Sequence, residues 1–195
     1  MRNSIQLPIP FDDEVYEYLL LIGPSKKIKK EIMRIKGTFY HDYNHIQAIK
    51  SKPHITLAHF DMYNSMEKAL IIRINEVVNS CEPFQVIFNG INYFEPHTIF
   101  IDVVDQEPIN HLVKSLQQRM LLPRGSSFFS KRPHMTIASG LDQDKFQEGM
   151  IGLAELEYTN SFLVDKIILM KRKKSFMKYE LVREFKLGLN NKVAA

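Results

Sequence analysis

Two short stretches of this chain carry the same set of chemically useful side chains. Lys52-Pro53-His54-Ile55-Thr56-Leu57-Ala58 returns as Arg132-Pro133-His134-Met135-Thr136-Ile137-Ala138, with Pro, His, Thr and Ala identical and conservative exchanges between them. Histidine holds either protonation state near neutral pH, so one imidazole can accept a proton while another donates one. A hydroxyl two residues on can donate a hydrogen bond to an anionic oxygen. Two such units facing one cleft suit in-line attack on a phosphodiester: one histidine takes the nucleophile's proton and the other protonates the leaving oxygen. A histidine in a strand is ordinarily a surface residue or a satisfied core residue. What sets these two apart is their matching flanks, in a chain with only seven histidines. The tetrads offer two imidazoles and no carboxylate or thiolate at ligand spacing, so a zinc site is not expected; acid and base duty shared by two histidines calls for no cofactor.

Side chains alternate between the faces of a strand, so His54 and Thr56 share one face while Ile55 and Leu57 take the other; the second copy repeats this with His134, Thr136, Met135 and Ile137. Proline just before each histidine suits the first residue of a strand, where no ladder hydrogen bond is lost. Lys52, Lys131 and Arg132 fall at the rim, as secondary candidates for stabilising charge. The same alternation puts His59 on the face opposite His54 and leaves it out of the site.

The paired tetrads, His54-Ile55-Thr56-Leu57 and His134-Met135-Thr136-Ile137, resemble the signature of the two-histidine phosphoesterases. That superfamily includes the 2′-5′ RNA ligase-like proteins and cyclic phosphodiesterases. The resemblance implies a bilobal fold, no metal, and opening of a 2′,3′-cyclic phosphate or action on a 2′-5′ linkage in RNA or a nucleotide. His54 and His134 would share acid and base duty, and Thr56 and Thr136 would hold the non-bridging oxygens. Which histidine is the base stays open, as does hydrolysis against ligation. Two rivals use the same four residues: a non-catalytic RNA-binding protein, and an esterase of a small cyclic-phosphate metabolite.

These residues need elements to position them. Residues 15–22 read as a buried strand, ended by Gly23-Pro24-Ser25 with Ser25 as a helix N-cap. Ile28, Ile32 and Ile35 then share a helical face, with Lys26, Lys27, Lys29 and Lys30 on the solvated side and Gly37 as a stop. Residues 38–51 read as a loop carrying Phe39, Tyr40, His41, Tyr43 and His45, whose aromatics either pin it to the body or stack on a base. The first tetrad strand runs to about residue 60. Ser65 caps a helix to about residue 81, buried through Met66, Leu70, Ile74, Val77 and Cys81. A strand over 84–91 follows, with Gly90 marking a bulge.

The second half repeats the order. A strand over 98–104 precedes a helix opened by Pro108 and buried through Ile109, Leu112, Val113, Leu116 and Met120. A loop over 121–131, containing Arg124-Gly125-Ser126-Ser127-Phe128-Phe129, leads into the second tetrad strand. Asp142 or Asp144 caps a helix to about residue 156, weakened by Gly149 and Gly152. Residues 162–170 and 177–187 form a closing hairpin. Lys171-Arg172-Lys173-Lys174 sits at its turn, either solvated or steering a phosphate backbone. Phe94, Tyr158 and Tyr179 read as core or edge residues.

This pattern predicts an α+β fold: two lobes related by a pseudo-twofold duplication, each an antiparallel sheet with two helices, with the cleft between them. No linker separates the lobes, so 1–195 reads as a single bilobal domain with an irregular lead over 1–14 and a loose tail over 188–195. The chain is 195 residues long with 45% hydrophobic and 25% charged residues, which excludes fibrous and disordered classes. A net charge of +4 agrees with an anionic ligand, RNA ends or a nucleotide cyclic phosphate. Cys81 is the only cysteine, which points to a reducing cytoplasm without an internal disulfide. There is no apolar run of signal-peptide length, and a run such as 19–22 is far too short to span a bilayer. Neither membrane association nor an obligate protein partner is expected.

Overall fold

The computed structural model describes residues 13–122 and 127–189. Most of the irregular lead, the segment Arg124-Gly125-Ser126 and most of the tail lie outside them. Among the described residues nine strands and five helices follow one another along the chain. The first strand, β1, is Val15–Ile22, alternating buried and open positions as its sequence requires. Ser25 caps α1, its side chain accepting from the Ile28 amide. That helix runs Lys26–Tyr43, well past Gly37, and ends at Asn44 in the left-handed conformation that asparagine tolerates. The predicted loop is therefore mostly helix, followed by the short α2, Gln47–Lys50.

Packing explains why Gly37 does not stop α1. Glycine inside a helix costs about 1 kcal/mol relative to alanine. Continuing the helix buries Phe39 completely and lays Tyr43 against α5, Gln143–Leu153, which exceeds that penalty. The contact uses the two glycines that weakened the α5 reading. A Cβ at Gly149 would lie 2.7 Å from the Phe39 ring, and one at Gly152 would lie 1.8 Å from the Tyr43 hydroxyl. Asp142 supplies the N-cap of α5 by accepting from the Lys145 amide at 2.9 Å.

The first tetrad strand, β2, is Ile55–Tyr63. Its helix, α3, is Glu67–Asn79, later than predicted. Ser65 is not its cap: it sits in a 3-10 turn and donates to the Asp13 carboxylate from its amide at 3.0 Å and from its hydroxyl. Next come β3, Phe84–Phe94, with Gly90 at positive φ where the register slips, then β4, Thr98–Val103, and α4, Glu107–Met120, buried through all five predicted residues. Part of the predicted 121–131 loop is a strand, β5, Ser127–Phe129, paired with β2. The second tetrad strand, β6, is His134–Ser139. The closing hairpin differs too, because 162–170 divides between two strands. Thr159–Val164 is β7 and pairs with β3, whereas Lys166–Lys173 is β8 and pairs with β1 and with β9, Glu180–Lys186.

All pairings are antiparallel, in the order β7-β3-β4-β6-β2-β1-β8-β9 with β5 added on β2. The fold is bilobal α+β. One lobe holds β2, β1, β8 and β9, the other β7, β3, β4 and β6. The lobes are not successive halves of the chain, since β3 lies with the second tetrad and β8 and β9 return to the first. The helices cross as well: α1 leaves the first lobe to pack on β6 and α5, and α4 leaves the second to pack on β2 and α3. The lobes meet where β2 touches β6, through the single Cα pair Ile55 and Met135, both fully buried.

Candidate active site

The Ile55–Met135 pair fixes where the tetrads lie. Both side chains point into the core, so their neighbours His54, Thr56, His134 and Thr136 turn to the opposite face and are half-buried there. Counting outward from that antiparallel pair sets His54 beside Thr136 and Thr56 beside His134. Pro53 and Pro133 are buried at the head of each strand. In both copies the fourth tetrad residue and the alanine after it are buried in succession, Leu57-Ala58 and Ile137-Ala138, because a β-bulge falls there in each strand.

Each imidazole is fixed by its own chain. His54 Nδ1 lies 2.7 Å from the Lys52 carbonyl oxygen, and His134 Nδ1 lies 2.8 Å from that of Arg132. A carbonyl only accepts, so each Nδ1 carries hydrogen and each Nε2 is the atom left for chemistry. Burial pushes both imidazoles below the ordinary histidine range; the carbonyl contacts oppose this. For His54 the positive charge of Lys36 and the neighbouring His134 lower it further. For His134, Arg132 lowers it and Asp102, its cross-strand partner on β4, raises it. The wall beside His134 is aromatic, with Phe100 at 4.7 Å and Phe94 at 5.1 Å between ring centroids. The Arg132 guanidinium covers both rings at 5.2 Å and reaches to 3.9 Å from Asp102. Phe94 is thus part of the site wall rather than an edge residue. Lys52 and Lys131 are exposed at the rim. Among the described residues no three His, Cys, Asp or Glu side chains converge as a metal site requires.

A family model for the 2′-5′ RNA ligase superfamily matches residues 24–175, a span that contains both tetrads. This chain belongs to that superfamily. It is a phosphoesterase of the two-histidine, LigT-like kind. Over 149 residues it is 26% identical to a protein of Oceanobacillus iheyensis named "putative phosphoesterase", covering 74% of this chain and 82% of that one. A Staphylococcus aureus protein of the same name is 22% identical over 174 residues, covering 87% of this chain and 98% of its own. The crystal structure of Escherichia coli LigT in apo form superposes with a TM-score of 0.65 at 14% identity, over 89% of this chain and 98% of LigT. LigT complexed with 3′-AMP gives 0.61 at 13% identity over the same shares.

Two features of this phosphoesterase escaped the sequence reading. The bulge at Leu57 shifts the alternation by one, so His59 lies on the same face as His54 and not opposite it. It contacts Glu17 at 3.0 Å, and Glu17 also takes Arg172 at 2.7 Å and the Tyr179 hydroxyl. Burial opposes ionisation of Glu17, but these hydrogen bonds hold its pKa down at about 2. A bulge adds one residue without any marker in composition, and only the doubled apolar pair before His59 hinted at it. The second feature is Lys36, fully buried on the α1 stripe at the position after Ile35, where periodicity showed only a polar residue. His45, also buried, is structural, with Nε2 2.9 Å from the Ser139 carbonyl.

The basic run Lys171-Arg172-Lys173-Lys174 lies at the end of β8 and just beyond it. Each charge meets a carboxylate at 2.7 Å: Glu67, Glu17, Glu14 and Asp61 in turn. No helix among the described residues is long and apolar enough to cross a membrane.

Proposed function

We propose that this phosphoesterase hydrolyses a 2′,3′-cyclic phosphate, on an RNA end or a nucleotide, leaving a 2′-phosphate. The observation that carries the reading is the duplicated fixing of two imidazoles by the carbonyls two residues before them, on one polar face. In the proposed reaction one neutral histidine takes a proton from water through Nε2 as the water oxygen attacks phosphorus. The bond from phosphorus to the 3′-oxygen breaks, and the other histidine, protonated, gives its proton to that oxygen. Water has been added across one P–O bond, the two rings have exchanged protonation states, and solvent restores them. The hydroxyls of Thr56 and Thr136 donate to the non-bridging oxygens, and Arg132, with Lys52 and Lys131 at the rim, offsets the phosphate charge. In this route the two imidazoles supply both proton transfers that accompany the P–O bond changes, and no metal takes part.

The single domain, the reducing cytoplasm and a role in RNA processing belong to the same reading, supported by a core drawn from both lobes, the lone Cys81 and the family. The test is turnover of 2′,3′-cyclic nucleotides by purified protein in excess chelator, with His54→Ala and His134→Ala as controls. Product that survives chelation and disappears in both variants supports the reading. Retention of single-stranded RNA without any product replaces it with an RNA-binding role.

A further inference from the structure

Lys36 is the one fully buried lysine among the described residues. Its ammonium donates to the Thr136 carbonyl oxygen at 3.0 Å and to the Ser51 hydroxyl at 3.3 Å. Thr136 is in the second tetrad, and Ser51 is just upstream of His54 in the first. Among the described residues no carboxylate is paired with it. A buried ammonium without a counter-ion is costly, and an apolar side chain of similar length would fill the same space at less cost. A role beyond packing is needed to account for it.

The pseudo-twofold supplies the comparison. The matching helix, α4, is buried through Ile109, Leu112, Val113, Leu116 and Met120, with no charge among them. Beside His134 the β4 position is Asp102, whereas the register of β1, which pairs Ile22 with Ile55, brings Gly23 to the corresponding place beside His54. The two histidines are therefore fixed alike but charged differently. Near His54 are the Lys36 charge from α1, His134 from β6 and the Lys52 carbonyl, with no ionisable side chain at Gly23, just past the end of β1. Near His134 are His54 from the first tetrad, Asp102 from β4, the Arg132 guanidinium, and the rings of Phe94 and Phe100.

We propose that Lys36 is a positioning residue of this phosphoesterase, tying the two tetrad segments together across the lobes and presenting a fixed positive charge that keeps His54 the proton acceptor, with His134, beside Asp102, the donor. This rests on the two-histidine reading above. Burial lowers the Lys36 pKa to about 8, which still leaves it charged over the range in which imidazoles titrate.

The test is an NMR titration of both imidazoles in the wild type and in Lys36→Met, alongside kcat/KM against pH on a 2′,3′-cyclic nucleotide. In the wild type His54 takes up its proton at lower pH than His134. In Lys36→Met the His54 midpoint moves to higher pH while that of His134 holds. The acid limb of kcat/KM follows His54, so activity falls several-fold more at pH 5.5 than at pH 8. Ser51→Ala removes one anchor but keeps the charge, and lowers the rate without moving either limb. A uniform loss across pH in Lys36→Met, or equal movement of both histidines, overturns the proposal. If Lys36→Met does not fold, the wild-type order decides alone, and His54 titrating at or above His134 overturns it. Because the titration needs no substrate, a shifted His54 in a protein that opens no cyclic phosphate would sink the phosphodiesterase reading while leaving the Lys36 coupling intact.

Discussion

His54 and His134 are held by one contact used twice, Nδ1 against the carbonyl two residues earlier, at 2.7 and 2.8 Å. Each ring is thereby oriented by the backbone rather than by a carboxylate hydrogen-bonded to that nitrogen. Replacing either histidine with alanine should lower kcat about 10²- to 10⁴-fold. In the proposed mechanism the rings act as a unit, so the double variant should be little worse than the poorer single one. Comparing kcat for the three variants checks this, and losses that multiply would mean that the rings work independently.

The pH dependence follows from the directions of the two shifts. A base works when neutral, so a lowered pKa extends activity to lower pH. An acid works when protonated, so its lowered pKa cuts activity off earlier on the alkaline side. The profile of kcat/KM should therefore be a bell centred on the acid side of the ordinary histidine value of 6.5. A profile rising monotonically through neutrality would rule out paired acid and base duty.

The basic run on β8 carries little free charge, since a carboxylate meets each member. Lys173→Ala and Lys174→Ala should leave KM for an oligonucleotide substrate within about twofold and leave its salt dependence unchanged. Arg132→Ala should weaken the same substrate about tenfold or more, because that charge stands beside His134. Measuring KM across a salt series separates the two cases.

Glu17 makes a prediction about stability. Its folded pKa of about 2 lies below the ordinary value of 4.5, so its contribution is complete above about pH 4.5 and is lost as pH falls towards 2. The wild type should lose on the order of 2 kcal/mol over that window that Glu17→Gln does not lose. Urea unfolding of both proteins at pH 6 and pH 3 measures the difference, and parallel losses would remove Glu17 from the account.

The two glycines of α5 should behave differently. Alanine normally gains about 1 kcal/mol over glycine inside a helix. At Gly149 the new methyl meets the fully buried Phe39 ring, which has nowhere to go, so Gly149→Ala should destabilise by about 1 to 3 kcal/mol. At Gly152 the obstacle is the tip of the partly exposed Tyr43, which can swing aside, and the change should be near zero. Denaturation midpoints of the two variants test the ranking.

The sequence carried the pairing of the two tetrads better than it carried the path of the chain. The tetrads, β1, α4 and the caps at Ser25 and Asp142 were legible because each rests on local rules: alternation, a 3.6-residue period, a side chain accepting from the first turn. Gly37 misled because a local helix penalty was exceeded by the burial of Phe39 against an element more than a hundred residues away. His59 was misplaced because a bulge breaks the period on which its assignment depended. Lys36 stayed invisible because a lysine in an apolar stripe looks like an ordinary departure from the pattern until its hydrogen-bond partners are known. The division of 162–170 between lobes, likewise, is set by which edge each strand finds.

The crossing of α1 and α4 bears on how substrate gains entry. A helix that starts in one lobe and beds into the other acts as a tether on each side of the cleft, and Lys36 adds a polar rivet beneath it. Lobes laced in this way cannot swing apart like the halves of a clamshell without stripping helices from the sheet that covers them. What is left free to move is the exposed rim, where Lys52, Lys131 and Arg132 stand, over a floor braced from both lobes.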